Sequence, residues 1–203
     1  MERIALPPEV TIVSRETIVS TNAELIALAK SGAAELTLLT AKTQSGGHGQ
    51  HGRTFFSPPG GAYFSLLLRP EICADIAEQV TVTAAVAACE AVKAVFGVTA
   101  GIKPVNDIII NGKKAAGILA EAFDGADGFF VVLGVGANLT VPAGGFPAEL
   151  PNAGSVTGLS AGALPANAFD DFIAETVTRF LTHYRGADID AVRKKYNERL
   201  VTQ

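Results

Sequence analysis

Cysteine is scarce in this sequence, with Cys73 and Cys89 the only two in 203 residues. Both lie in an alanine-rich run whose apolar spacing predicts a helix, so neither a disulfide framework nor a cysteine-based metal site is indicated. A thiol packed among alanines is more often an inert core group than a nucleophile. We therefore expect a protein of a reducing compartment, the cytoplasm.

Positive charge is also sparse. The sequence has 16 Lys and Arg against 20 Asp and Glu, a formal net charge of −4, and its one basic run is Arg193-Lys194-Lys195. Nucleic-acid surfaces normally show a basic excess, so we expect no nucleic-acid partner. No uninterrupted apolar run reaches the about 18 residues that a membrane span needs, and the N-terminus lacks a signal-peptide pattern. We expect no membrane association.

The composition that remains, 48% hydrophobic and 18% charged residues, is that of a globular chain. Its length suits one domain over residues 1–203. Hairpin signals, of which Asn111-Gly112 is the strongest, predict a mixed, mostly antiparallel sheet. A capping box from Thr21 to Glu24 predicts the start of the first helix. Further predicted elements are strands at 36–40, 63–68, 108–110, 115–123 and 129–136, helices at 72–96, 169–184 and 189–200, and a long connection at 140–165 that is either a lid or a wrap.

Glycines alternate with polar residues in the run Gln-Ser-Gly-Gly-His-Gly-Gln-His-Gly-Arg-Thr-Phe-Phe-Ser-Pro, residues 44–58. Such a backbone can approach a ligand closely and offer N–H groups to anionic oxygens, as a nucleotide phosphate requires. The glycine spacing also matches a dinucleotide-binding loop, but the residues after Phe55 do not predict the helix that such a loop needs. His48 and His51 have no third metal ligand nearby.

A second polar segment lies at the edge of the predicted sheet. Asn106 and Asp107 precede one apolar run, and Lys114 begins the next, across the Asn111-Gly112 turn. A charged lysine is thereby carried at the end of a rigid strand. By itself, a lysine beside Asn-Gly is usually an exposed turn residue, and an isolated Asn-Asp pair is usually a strand-entry turn.

Taken together, these segments resemble the catalytic domain of biotin protein ligases, whose patterns are Gly-Arg-x-Trp-x-Ser-Pro, Lys-Trp-Pro-Asn-Asp and Lys-x-x-Gly-Ile-Leu. Several spaced blocks in family order are far more specific than any one of them. The matching blocks are Ser20-Thr21-Asn22, Gly52-Arg53-Thr54-Phe55-Phe56-Ser57-Pro58, residues 61–70, Lys103-Pro104-Val105-Asn106-Asp107, Lys114-Ala115-Ala116-Gly117-Ile118-Leu119 and residues 134–139.

The resemblance implies an α/β fold of the α+β type, in which helices pack on a mixed, mostly antiparallel sheet. This is the biotin/lipoate protein ligase catalytic-domain fold, which is related to class II aminoacyl-tRNA synthetase cores. We expect residues 1–203 to form one catalytic domain, with neither the N-terminal DNA-binding domain nor the small C-terminal β domain of some family members. A homodimer is compatible with this family.

The resemblance also implies two reactions at one site. Biotin is activated by ATP as biotinyl-AMP, and the biotinyl group is then transferred to a lysine of a biotin carboxyl carrier protein or domain. The first step joins two anions, so it needs fixed cationic groups and Mg²⁺. We expect ATP and Mg²⁺ as cofactors, with Mg²⁺ near Asp107 and not held by a protein cluster of its own.

Matching the family patterns residue by residue assigns the site. Lys114 is the expected main catalytic cation and bridges the carboxylate and the α-phosphate, and Arg53 is the expected second catalytic residue, on the phosphates. The expected biotin-binding residues are Ser20, Thr21, Asn22, Gln44, Gly47, His48, Gly49, Gln50, Lys114 and Gly117, and the expected ATP-binding residues are Arg53, Phe55, Lys103, Asn106, Asp107 and Asn138.

The glycine loop departs from the family pattern. Where Gly-Arg-Gly-Arg-x-Gly-Arg is common, this sequence has His48 and Gln50 in place of two arginines, and Phe55 stands where a tryptophan is usual. Each lost charge-assisted contact weakens phosphate binding by roughly 1.5 to 3 kcal/mol. The hypothesis is weaker ATP binding, or a biotinyl-AMP that escapes before transfer.

Two alternative functions remain. A lipoate or other acyl-carrier ligase shares the fold but has an Arg-Arg-x-x-Gly-Gly-Gly loop that this sequence lacks. A catalytically weak biotin-binding module is favoured by the lost arginines. A thiol acyltransferase of the octanoyl-transfer type is disfavoured by the helical, alanine-rich surroundings of both cysteines.

Overall fold

The computed structural model describes residues 5–71, 75–126, 128–158, 164, 166–186 and 188–201. Within these residues, seven strands form one sheet in the order β1-β2-β3-β7-β6-β5-β4. The strands are β1 (Thr11–Ile18), β2 (Thr37–Gln44), β3 (Gly61–Leu68), β4 (Gly101–Lys103), β5 (Asp107–Ile110), β6 (Lys113–Gly125) and β7 (Gly128–Asn138). The helices are α1 (Thr21–Lys30), α2 (Ile76–Phe96), α3 (Ala168–Arg185) and α4 (Ile189–Asn197).

The sheet is mixed and mostly antiparallel, which confirms the predicted fold class. β1 and β2 are parallel, and every other neighbouring pair is antiparallel. In the β5–β6 turn, Asn111 and Gly112 have φ values of 50° and 73°. Two consecutive positive φ angles are what a two-residue hairpin turn requires, and Asn-Gly tolerates them best. The sequence also predicts a hairpin turn at residues 124–128, where β6 is followed by β7; Asp127 of this turn lies outside the described residues.

The two faces of the sheet are covered unequally. Alternate residues of a strand point to opposite faces, so Leu38 and Leu66 join the core beneath α2, α3 and α4. Their neighbours Leu39 and Leu67 instead pack with Leu25 of α1. Because α1 is short, the ends of β6 and β7 beyond its first turn remain uncovered. The candidate site lies on that open part of the sheet.

α2 is the central helix of the core. By length and composition it is the one helix among the described residues that is apolar enough to cross a membrane, but 67% of its most apolar window is buried inside the fold. Its buried face contacts α3, α4 and β6. The structure therefore explains its hydrophobicity by burial between helices and sheet. The prediction began this helix at Ile72, but residues 72–74 lie outside the described residues and α2 begins at Ile76.

Near the N-terminus, the sequence analysis missed one strand and made one wrong prediction. The strand β1 was not predicted, because it is an edge strand with largely exposed residues on both faces and so lacks an apolar alternation. The predicted capping box from Thr21 to Glu24 is also absent. Ser20 is the N-cap and accepts from the N–H of Ala23, whereas Glu24 pairs with Arg15 at 2.8 Å. The hydroxyl of Thr21 is used in tertiary contacts described below.

The connection after β7 is a wrap along the sheet in its described part, residues 139–158. The Thr140 N–H donates to the Gly60 carbonyl at 3.0 Å, and the Val156 N–H donates to the Asn138 carbonyl at 2.7 Å. Next to the start of β6, Lys114 pairs with Ala153 in a parallel bridge. The β6–β7 pairing ends at Ala116 and Ala137, and the segment around Ala153 then pairs with β6 at Lys114. Residues 159–163 and 165 lie outside the described residues.

The carboxylate of Glu90 joins α2 to α3 and α4. Its side chain is 13% exposed and lies 2.8 Å from His183 Nε2, 3.2 Å from Lys195 Nζ and 3.5 Å from an Arg179 nitrogen. Burial raises the pKa of Glu90, but the hydrogen bonds and positive charge of His183 and Lys195 outweigh burial and hold that pKa below its ordinary value of 4.5. A carboxylate with a lowered pKa stabilises the fold above pH 4.5, and this stabilisation is lost as the pH falls through the lowered value.

We expect Glu90→Gln to lower the free energy of unfolding at pH 7 by roughly 1 to 3 kcal/mol. The reason is that His183, Lys195 and the arginines 179 and 199 lose their shared anion. The deficit should shrink as the pH falls below 4.5 and through the lowered pKa of Glu90, because the wild-type carboxylate then becomes protonated as well. Urea unfolding at pH 7 and between about pH 3 and 5 measures both effects. Glu16→Gln, at an exposed pair with Lys42, is the matched control and should change little. A pH-independent deficit would contradict this account.

Candidate active site

An open cleft lies on the α1 face of the sheet, between the first turn of α1, the glycine loop after β2, the turn between β4 and β5, and the strands β6 and β7. All of the predicted site residues line it except Gly47 and Asn138. The structure thus brings together residues that are more than 90 positions apart in the sequence, from Ser20 to Lys114. The lining residues that sequence analysis did not assign are Thr54, Pro104, Ile118, Leu119, Gly134, Val135 and Gly136.

The glycine loop is a short irregular hairpin. Gln44 bridges to Ser57 and His48 bridges to Thr54, and residues Gln50–Gly52 form a 3₁₀ turn at its tip. The N–H groups of Gly46, Gly49 and Phe55 donate to backbone carbonyls. In this conformation these three donors are therefore not directed to a ligand, contrary to the expectation for the loop backbone.

Gly47 is needed to close this loop. A Cβ at Gly47 would lie 2.6 Å from Ser57 Oγ and 2.7 Å from the Phe55 carbonyl oxygen. Real Cβ atoms do not approach other atoms this closely, so any side chain would force the loop open. The structure places Gly47 behind the cleft, as a packing requirement of the loop.

One end of the cleft has a neutral, hydrogen-bonded wall. Gln44 Oε1 accepts from the Thr21 N–H at 2.8 Å and contacts the Thr21 hydroxyl at 3.1 Å, while Gln44 Nε2 donates to Ser57 Oγ at 3.0 Å. Gln44 therefore fixes the start of α1 to the end of the glycine loop. This side chain lines the cleft, but its amide is already bonded to protein groups.

The hydroxyl of Ser65 was not assigned by sequence analysis, and it lies beneath this wall. Ser65 is completely buried, and its Oγ lies 2.6 Å from Asn22 Oδ1 and 2.8 Å from Thr21 Oγ1. One hydroxyl proton serves two oxygen neighbours. No sequence motif marks this residue, which is one polar position in a strand of apolar ones.

Asn22 is held at both ends of its amide. Its Nδ2 donates to Glu121 Oε2 at 2.7 Å and, more weakly, to the Leu119 carbonyl at 3.4 Å. Its Oδ1 lies where it would collide with a Cβ at Gly134, so the absence of a side chain at Gly134 makes room for this amide. Asn22 is 5% exposed.

The other end of the cleft carries the ionic groups. Lys114 Nζ lies 2.6 Å from Asp107 Oδ1 and 5.7 Å from the centre of the Phe55 ring. The Lys114 backbone donates to the Asn152 carbonyl and accepts from the Gly154 N–H. The neighbouring Lys113 points away and donates to the Pro151 carbonyl at 2.6 Å. The backbone clamp and the carboxylate together fix the ammonium group of Lys114 in the cleft.

Two further cations, Arg53 and Lys103, line the cleft. Lys103 is the register partner of Asp107 across the β4–β5 pair. Within the described part of the chain, neither side chain has an ion-pair partner. Three cations against one carboxylate make this end attractive to an anion such as a phosphate.

Phe55 separates the two ends. A Cβ at Gly136 would lie 2.7 Å from Phe55 Cε1, and one at Gly117 would lie 3.3 Å from both Phe55 Cε2 and Lys114 Cε. The ring rests edge-on against Tyr63, with centroids 6.5 Å apart. The absence of side chains at Gly117 and Gly136 thus makes room on the sheet for the Phe55 ring and the Lys114 side chain.

Asn106 and Asn138 have structural contacts. Asn106 Nδ2 donates to the Ile118 carbonyl at 2.7 Å, which ties the β4–β5 turn to β6. Asn138 Nδ2 donates to the Gly154 carbonyl at 3.1 Å and so anchors the segment that clamps Lys114. Its buried Oδ1 has no hydrogen-bond partner among the described atoms. Alternation along β7 places Asn138 on the face of Gly134 and Gly136, which is the cleft face.

The oxygen donors suit a magnesium ion that arrives with a nucleotide. Mg²⁺ takes oxygen ligands, usually one or two protein oxygens plus phosphates and waters. The Asp107 carboxylate, which lines the cleft, is of this kind. Among the described residues, no group of three or more His, Cys, Asp or Glu side chains could hold a metal.

Cys89 lies away from the cleft, on α2. It is 3% exposed, and burial raises the pKa of its thiol to about 12. The thiol is therefore protonated at neutral pH, as expected for an inert core cysteine. Cys73 lies outside the described residues.

Comparison with known proteins identifies related sequences and folds. Residues 15–138 match the sequence model of the Biotin/lipoate A/B protein ligase family. The bifunctional ligase/repressor BirA of Bacillus spizizenii is 38% identical over 141 residues, which are 68% of this chain and 43% of that protein. The biotin–[acetyl-CoA-carboxylase] ligase of Paracoccus denitrificans is 37% identical over 140 residues, 68% of this chain and 55% of that protein. The chain thus spans about half the length of these two relatives.

A solved structure shows the same fold. The biotin protein ligase of Aquifex aeolicus, in complex with biotin and ATP, superposes with a TM-score of 0.76 at 22% sequence identity, covering 94% of this chain and 78% of that one. The match extends beyond the sequence blocks to nearly the whole chain. It confirms the fold that the motifs implied.

Proposed function

Because this chain belongs to the biotin/lipoate A/B protein ligase family, we propose that it is an ATP-dependent biotin protein ligase. It activates biotin as biotinyl-AMP and transfers the biotinyl group to a lysine of a biotin carboxyl carrier domain. The observation that supports this most is the position of Lys114, which is clamped in the cleft with its ammonium group on Asp107. The neutral wall around Asn22 lies toward the other end of the same strand, β6.

The geometry of β6 separates the two binding regions. Lys114 and Leu119 both line the cleft and are five positions apart on this strand, so their Cα atoms are about 16 Å apart at roughly 3.3 Å per residue. A ligand with a neutral polar ring and a flexible acid tail can span such a distance. Ser20, Thr21 and Asn22 bind the ring, and the tail carboxylate reaches Lys114.

In the first reaction, a carboxylate oxygen of biotin attacks the α-phosphorus of ATP. The bond from that phosphorus to the bridging oxygen breaks, and pyrophosphate leaves with the bonding electrons. Lys114 stabilises the negative charge that both reactants bring together, and Asp107 holds its ammonium group in place. Arg53 and Lys103 hold the remaining phosphate charge, and Phe55 packs against the nucleotide.

In the second reaction, the amine of a carrier lysine attacks the carbonyl carbon of biotinyl-AMP, and AMP leaves. Asp107 would help to hold a magnesium ion, which neutralises phosphate charge when it is bound with ATP. A carrier protein must reach the open side of the cleft. We also propose a cytoplasmic location and the ability to form a homodimer. The largely exposed edge strand β1 is a surface through which two sheets could pair.

A pyrophosphate-release assay tests this function. We expect the purified protein to release pyrophosphate from ATP and Mg²⁺ when biotin is added, with little release when lipoate replaces it. A biotin carboxyl carrier domain added afterwards should become labelled on lysine. Preference for lipoate would support the alternative function, a lipoate or other acyl-carrier ligase. Biotin binding without turnover would support a binding module, which the loss of arginine at positions 48 and 50 favours.

We predict that Gln50→Arg slows the escape of biotinyl-AMP. Gln50 lines the cleft at the start of the 3₁₀ turn, and an arginine there would add a charge-assisted contact to the phosphate. Such a contact contributes roughly 1.5 to 3 kcal/mol, which corresponds to a release rate about 10- to 150-fold lower. After one turnover, samples are passed at intervals through a filter that retains the protein, and the biotinyl-AMP in the filtrate gives the release rate. Gln50→Ala is the control and should not slow release; equal rates for the wild type and Gln50→Arg would contradict the prediction.

A further inference from the structure

Glu121 lies outside the cleft lining, yet it contacts two residues that form the lining. Its Oε2 accepts from Asn22 Nδ2 at 2.7 Å and lies 3.6 Å from His48 Nε2. The first distance is that of a strong hydrogen bond to a carboxylate, and the second is longer than a hydrogen bond. The main partner of this carboxylate is therefore the amide of Asn22.

The contacts of Asn22 fix which end of its amide faces which neighbour. A carboxylate can only accept hydrogen bonds, so it selects the NH₂ end of Asn22. Turning the amide over would place Oδ1 against Glu121 Oε2, two acceptors in contact. In the observed orientation, both Nδ2 protons point to protein oxygens, those of Glu121 and Leu119. Asn22 can consequently offer the cleft only the remaining lone pair of Oδ1.

The neighbouring oxygens make this wall short of donors. The proton of Ser65 is shared between Asn22 Oδ1 and Thr21 Oγ1, at 2.6 and 2.8 Å. The hydroxyl of Thr21 also contacts an acceptor, Gln44 Oε1, at 3.1 Å. Three oxygen contacts therefore share two protons. A ligand that brings N–H donors completes this arrangement, whereas a ligand ring without donors leaves buried acceptors unpaired.

We propose that Glu121 is a positioning residue that fixes Asn22 as a hydrogen-bond acceptor and thereby selects ring ligands that carry N–H groups. This rests on the proposed function and names the feature of biotin that the site recognises. The ureido ring of biotin carries two N–H groups, and the dithiolane ring of lipoate carries none. Glu121 acts through Asn22 and does not touch the ligand.

The test compares Glu121→Gln with the exchanged pair Asn22→Asp/Glu121→Gln. In the single variant, the new amide can donate to Asn22 and stabilise the reversed orientation. We expect biotin to bind about 5- to 150-fold more weakly, from the range for an unpaired buried group, with ATP affinity and kcat at saturating biotin little changed. In the exchanged pair, the amide introduced at position 121 donates to a carboxylate at position 22, which again presents an acceptor. We expect biotin affinity to return to within about twofold of the wild type.

Asp124→Asn, at the exposed end of the same strand, is the matched control. The NH₂ resonances of Asn22, assigned by their absence in Asn22→Asp, give a readout that needs no ligand. In the ligand-free protein, Glu121→Gln should shift one of the two amide protons.

Two results would overturn the proposal. One is an unchanged Asn22 amide spectrum in Glu121→Gln, and the other is an equal loss of biotin and ATP affinity that the exchanged pair does not restore. A third outcome has a different meaning: the wild type does not bind biotin, but the Asn22 amide resonances still shift in Glu121→Gln as expected. That result would refute the proposed ligase function and the ligand that we assign to this wall, and not the role of Glu121.

Discussion

Replacing Lys114 by methionine is expected to lower the rate of biotin-dependent pyrophosphate release by about 100- to 1,000-fold, the usual loss when one fixed group that stabilises transition-state charge is removed. Lys114 Nζ is held 2.6 Å from Asp107, and the backbone of the residue is clamped by the segment around Ala153. Because Lys114 is already fixed, its backbone need not move when the biotin carboxylate and the α-phosphate of ATP come together. Steady-state and single-turnover assays with saturating ATP and biotin measure the effect.

Lys113→Met is the control for Lys114→Met. The two lysines are adjacent, but Lys113 points outward to the Pro151 carbonyl, so its loss should leave turnover nearly unchanged. Lys114→Arg should not restore activity, because a planar, delocalised guanidinium does not reproduce the compact ammonium group that lies 2.6 Å from Asp107. A loss of less than about tenfold in Lys114→Met would place the main cation elsewhere in the cleft.

For Lys114 and Asp107, the sequence resemblance supplied the proposed roles, whereas the structure supplied the contact between the two side chains. The sequence pattern placed both at strand ends beside one turn. The turn itself was predictable because Asn111-Gly112 adopts positive φ angles from local chemistry alone. The 2.6 Å contact between the two charges depends on the β-bulge between Ile108 and Ile109, which shifts the register of β5 against β6. A bulge has no reliable sequence signal, so the ion pair could not be predicted.

The first turn of α1 was misjudged for a similar reason. Ser20, Thr21 and Asn22 are all good helix-capping residues, and local rules do not choose among them. The choice follows from distant groups: Gln44 and Ser65 occupy the hydroxyl of Thr21, which leaves the cap to Ser20. Tertiary hydrogen bonds thus override a local propensity at the residues that form the site.

Ser65 and Glu121 were missed because each is a single polar residue in a strand. A polar residue in a strand usually indicates its solvent face. Ser65 is instead fully buried, and Glu121 turns its carboxylate to the side chain of Asn22. The signal that would have identified them is the pairing of β3 with β7 and of β7 with β6, which brings both beneath the start of α1. The β6–β7 pairing is the predicted hairpin, but the pairing of β3 with β7, which are far apart in the chain, could not be derived from the sequence.

Alanine substitutions at Gly134 and Gly136, two residues apart on β7, are expected to weaken the binding of different substrates. A Cβ at Gly134 would collide with Asn22 Oδ1, whereas one at Gly136 would lie 2.7 Å from Phe55 Cε1. Overpacking of this kind costs about 1 to 3 kcal/mol, or roughly 5- to 150-fold in affinity when the displaced group binds a ligand. Gly134→Ala should therefore raise the KM for biotin and spare ATP, while Gly136→Ala should raise the KM for ATP and spare biotin.

Each of these variants is the control for the other, because they share a strand, a face and a chemical change. Kinetics in which biotin and ATP are varied separately measure the two KM values, and thermal unfolding shows that both variants are folded. If both raised the same KM, or if the pattern were reversed, the assignment of the Asn22 end to the ring and of the Phe55 side to the nucleotide would be wrong. The expected crossed pattern follows because one glycine makes room for an amide and the other for an aromatic ring.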